Sequence, residues 1–67
     1  MLNRTEISKK LISLRGKRSR QEVARACGIS TSAVTMYETG HRIPRDEIKV
    51  VLANYFDTSV ESIFFNQ

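Results

Sequence analysis

The sequence predicts an all-α domain of five short helices, on three observations. Apolar residues recur three and four positions apart, and no alternating run reads as a strand. Ser19, Ser30 and Ser59 each precede a periodic segment, where a helix start needs an acceptor for its free amides. Gly16, Gly28 and Gly40 each follow one, where helices commonly close in left-handed backbone.

The first helix is expected over about Thr5 to Arg15. Ile7, Leu11 and Leu14 form its buried stripe, and Gly16 caps it. Lys17 and Arg18 bridge to Ser19. Ser19-Arg20-Gln21-Glu22 reads as a capping box, so a second helix runs to Cys27 with Val23, Ala24 and Cys27 on one face. Gly28 ends it, and a tight turn through Ile29 reaches Ser30, the cap of a third helix from about Thr31 to Thr39. At ~100° per residue, Ala33, Val34 and Tyr37 share its core side. Ser32, Thr35, Met36 and Thr39 share the opposite side, with Thr31 at its edge and Glu38 on the flank.

Arg42-Ile43-Pro44-Arg45 is loop, because Pro44 disfavours helix in the residue before it. Asp46 and Glu47 suit the first turn of a fourth helix, where the dipole favours anions. Ile48, Val51, Leu52 and Tyr55, with Phe56, are its expected buried stripe, and Asp57 ends it. Ser59 caps a last short helix carrying Val60, Ile63 and Phe64. Phe65 cannot share the narrow stripe of Phe64. It is either a dimer contact or a residue folded back on its own core.

Sixty-seven residues make a single domain, 1–67, with a thin core: a chain this short buries only about 60% of its unfolded surface. One cysteine allows no internal disulfide and none of the multi-cysteine zinc sets. Cys27, on an apolar face, reads as a small hydrophobe and not as a nucleophile. No apolar run approaches the ~20 residues of a membrane span, and no signal peptide is visible. The expectation is a cytoplasmic protein. The net charge of +4 is uneven: residues 1–25 carry +6 and residues 26–67 carry −2. A basic half attracts polyanions, nucleic acid foremost.

The informative unit is Ser19 to Gly40: short helix, glycine turn, short helix, glycine stop. In such a helix-turn-helix the first helix braces the second, whose outer face fits the major groove. These residues resemble the Cro/repressor-type (Xre-type) DNA-binding domains of phage and bacterial regulators. The resemblance spans about residues 7–64. Its strings are Leu14-Arg15, Ser19 through Ala24, Gly28-Ile29-Ser30 with Val34, Tyr37 through Gly40, Arg42 with Pro44, and Ser59 through Phe64.

The resemblance implies a five-helix lambda-repressor-like domain with helix-turn-helix formed by helices two and three. It places Thr31, Ser32, Thr35 and Met36 where the family contacts base edges. Arg20 stands where the family often has a glutamine touching the DNA backbone. Arg42 and Arg45 stand where the loop and fourth helix approach phosphates, and Arg15 and Glu38 match a structural ion pair. Lys17 and Arg18 surround the anion-favouring start of helix two, and Ser30, Thr39 and His41 complete the expected phosphate-contacting set. Lys9 and Lys10, on the far side of helix one, are expected to be solvated.

Three departures stand out. The loop from Arg15 to Ser19 is short and lacks the usual Gly-Leu. Arg20 replaces a glutamine. Arg45 replaces a serine cap, which leaves the start of helix four unsupported.

The reading face has no Arg, Asn, Gln or Lys, the side chains of bidentate base readout. Modest direct readout biased toward A·T-containing steps follows, with much of the affinity from phosphates. The expected function is a sequence-specific regulator of transcription, a repressor, binding a palindromic double-stranded DNA operator as a homodimer. The alternative is a protein-interaction module, such as an antitoxin-like partner, with DNA binding secondary. Exposed aromatics for stacking unpaired bases are missing, which disfavours RNA. No nucleophile, base and orienter can be assembled, so no catalytic residue is expected. No metal site, cofactor or small-molecule ligand is expected either. Control by abundance or by a protein anti-repressor stays open.

Overall fold

The computed structural model describes residues 3–65. Asn3 starts the first helix: its side chain accepts the Glu6 N–H at 2.9 Å, so α1 runs Arg4–Arg15, one residue earlier than expected. Gly16 closes it at φ +57 and ψ −125, a positive-φ conformation outside the left-handed helical well. Ser19 then accepts from Glu22 N–H and opens α2, Arg20–Cys27. Gly28 ends α2 in true left-handed backbone, φ +69 and ψ +30, and the Ile29 N–H closes back on Ala24 O at 3.0 Å.

Ser30 accepts from Ala33 N–H to open α3, Thr31–Glu38. Thr39 is its C-cap and not its last residue. The chain next needs a left-handed glycine: Gly40 has φ +78, and a Cβ there would stand 3.4 Å from Ser8 Oγ. The fourth helix, α4, spans Asp46–Tyr55, and Arg45 at its N-cap makes no side-chain cap bond. Asp57 follows with φ +56. Ser59 accepts from Ser62 N–H, and the last turn, α5 (Glu61–Phe65), is wound as a π-helix.

One core collects a stripe from every helix: Ile7 and Leu11, Val23, Ala24 and Cys27, Val34 and Tyr37, Leu52 and Ala53, Ile63 and Phe64. The α2 helix packs on α3 and α4, and α1 packs on α3 and α5. The first buried stripe is thus Ile7 and Leu11, with Leu14 and Ala33 only half-buried at the core margin.

The fourth stripe differs from expectation. Val51 is 37% exposed, and Lys49 is buried instead. The lysine stem covers aromatic surface, with Nζ 5.7 Å from the Phe64 ring centre and 5.0 Å from that of Phe65, while reaching Asp46 Oδ1 at 3.4 Å. Lys10 is half-buried rather than fully solvated, because Nζ donates to Ser62 O at 2.7 Å and ties α1 to α5.

Candidate nucleic acid interface

Glu38 ends α3 on the boundary between core and solvent, and its side chain is only 3% exposed. A buried carboxylate needs charge-assisted partners, and two supply them. Arg15 Nε donates to Oε2 at 2.7 Å, and Arg20 Nε donates to Oε1 at 2.9 Å. Arg15 also donates from Nη1 to Arg18 O at 2.8 Å, fixing the loop between α1 and α2. The carboxylate therefore locks the C-terminus of α3 to the end of α1 and the start of α2. A second lock lies deeper: the Ser8 hydroxyl sits 2.7 Å from Arg4 O and 3.0 Å from Tyr37 O.

With its back anchored, α3 exposes Thr31 and Ser32 to solvent, while Thr35 and Met36 are half-buried on the same outer side. Tyr37 lies in the core, away from that face. Thr35 Oγ1 donates to Thr31 O at 3.1 Å, so its hydrogen stays on the helix and its lone pairs are left to accept. Thr39 Oγ1 donates to Thr35 O at 2.8 Å. The same hydroxyl oxygen lies 2.8 Å from His41 Nδ1, which ties the loop after α3 to its last turn.

The cations expected to contact phosphates are placed in three ways. Lys17, Arg42 and Arg45 are exposed. Ser30, Arg42 and Arg45 line one open groove together with Ile29, Ala33 and Ile48, at the junction of α3, the following loop and α4. Arg18 is placed differently. Its guanidinium carbon lies 5.2 Å from the Tyr55 ring centre and 5.4 Å from that of Phe56, and Nη2 donates to Leu14 O at 3.3 Å.

Two parts of this arrangement have no local sequence signal. Ser8 sits in an apolar spacing where nothing marks it as buried. The bond from Arg20 to Glu38 joins residues 18 positions apart, and the only hint is a cation replacing a neutral amide. Cys27 is buried and its thiol is pushed above the ordinary 9.0 by desolvation, in keeping with a packing role. Among the described residues no cluster of His, Cys, Asp or Glu could hold a metal ion, and no helix is long and apolar enough to cross a membrane.

Comparison with curated proteins and with solved structures gives no match. A family model described as helix-turn-helix matches residues 9–63, which takes in α2, α3, α4 and most of α1. With that match over a bundle that holds the outer face of α3 toward solvent, the chain belongs to the Xre/Cro-like helix-turn-helix family of DNA-binding regulators.

Proposed function

We propose that this regulator is a repressor that binds a palindromic double-stranded DNA operator as a symmetric homodimer, with α3 in the major groove. One observation carries the reading. The outer face of α3, Thr31, Ser32, Thr35 and Met36, is held outward from behind by Glu38, with exposed Arg42 and Arg45 in the groove that Ser30 and Ala33 also line. At 1.5 Å per residue, the eight residues of α3 span about 12 Å, a length the major groove accepts end-on or inclined.

The four reading residues touch base edges. The Thr35 methyl and the Met36 thioether pack against thymine methyl groups, and Thr35 Oγ1 accepts from an exocyclic amine. Lys17, Arg20, Ser30, Thr39, His41, Arg42 and Arg45 contact phosphates. Arg18 joins them with the N–H groups that its bond to Leu14 O leaves open. One module with so few base contacts binds weakly, so two-fold pairing on half-sites about one DNA turn apart multiplies the affinity.

Selection of bound sites from random duplex DNA, with stoichiometry measured on the winner, tests this. A palindrome bound by two chains supports it. No enrichment, with firm binding to a protein encoded beside it instead, would favour the antitoxin-like interaction module.

A further inference from the structure

Arg20 opens α2, and Glu38 closes α3. Each oxygen of the Glu38 carboxylate is held by a different arginine: Oε2 by Arg15 at 2.7 Å and Oε1 by Arg20 at 2.9 Å. The two arginines are otherwise employed differently. Arg15 is 20% exposed and uses Nη1 on the Arg18 carbonyl, so it serves the interior. The Arg20 side chain is 38% exposed, and its Nη groups make no hydrogen bond among the described residues. A guanidinium is a rigid planar fork. Fixing Nε on Glu38 therefore fixes the plane in which the two Nη groups present their hydrogens at the start of α2.

We propose that Arg20 is a positioning residue for base reading. It couples the angle of α3, through Glu38, to the phosphate that its own Nη groups grip. Backbone contact and reading-face orientation are then one geometric unit, and Arg20 contributes to sequence discrimination without touching a base. This rests on the DNA-reading function proposed above. Loss of a simple phosphate contact would weaken binding to every duplex about equally and leave discrimination unchanged. A lysine supplies the same charge as a point on a flexible stem, and it cannot serve Glu38 and a phosphate in one fixed plane.

The test compares wild type, Arg20→Lys and Arg20→Gln on three duplexes: the selected site, the same site with the bases under α3 changed, and unrelated DNA, over a range of salt. The expected result is a fall in the affinity ratio of selected to changed site by about threefold to tenfold in Arg20→Lys, with the salt dependence of wild type kept. Arg20→Gln is expected to lose discrimination too, and to flatten the salt slope by about 1. In a Glu38→Ala background, which removes both acceptor oxygens, neither substitution should lower the ratio further. An unchanged ratio in the variants, or an equal further loss in the Glu38→Ala background, overturns the proposal. Wild type with no preference among duplexes is a separate failure: it overturns the DNA-reading function itself.

Discussion

Glu38 concentrates the electrostatics of the fold into one side chain, 3% exposed between two guanidiniums. Removing one member of a buried ion pair leaves uncompensated charge and costs about 3–5 kcal/mol. Here both arginines keep some contact with water, so the expected loss for Glu38→Gln is smaller, about 2 kcal/mol. Urea unfolding measures it, and weaker DNA binding should accompany it although Glu38 touches no DNA. Unchanged unfolding would show that the pairs contribute nothing to holding α3.

Cys27 gives a second residue-scale expectation. Burial raises its thiol pKa above the ordinary 9.0, so the folded chain keeps its proton at pH values where the unfolded chain has released it. That contribution to stability is fully present below 9.0 and is lost as pH rises through the folded value. Iodoacetamide should therefore modify the native thiol far more slowly than the denatured one. Equal rates would place Cys27 at the surface.

At the scale of elements, the start of α4 separates stability from binding. Arg45 occupies the N-cap with φ −69 and ψ +165, a conformation suited to serine, yet makes no cap bond. Arg45→Ser should stabilise the domain by about 0.5–1 kcal/mol and, by removing a cation beside the reading helix, flatten the salt slope of DNA binding by about 1. Thermal unfolding and a salt titration of the same variant check both signs. A loss of stability would mean that the arginine stem packs better than a serine caps.

The helix starts at Ser19, Ser30 and Ser59 could be read from the sequence because capping is a local matter of three or four residues. The outward side of α3 was legible for the same reason, since helical spacing alone separates Val34 and Tyr37 from Ser32 and Met36. The exchange of Val51 for Lys49 was not, because it depends on the aromatic surface that α5 brings against α4. The Arg20–Glu38 bond was likewise hidden. It exists only once α2 and α3 have folded to their crossing angle, and phosphate contact was the whole of the role the sequence offered for Arg20.

The whole molecule carries its positive charge unevenly, +6 in residues 1–25 against −2 in the rest. Folding brings Lys17 and Arg20 from that basic half to the start of α2, while Arg42 and Arg45 come from the loop after α3. If about five phosphates are neutralised per subunit, log K should fall with log salt at about −4 to −5 per subunit. A slope near −1 would rule out phosphate-dominated affinity.

The proposed function stands on the outer side of α3 as the surface that meets duplex DNA. The most direct measurement is a titration of isotope-labelled protein with double-stranded oligonucleotide at low ionic strength, following backbone amide signals residue by residue. The largest changes should fall on Thr31–Glu38, Thr39 and the start of α2, with α5 nearly still. Changes confined to α4 and α5, with the signals of α3 unmoved, would contradict the account.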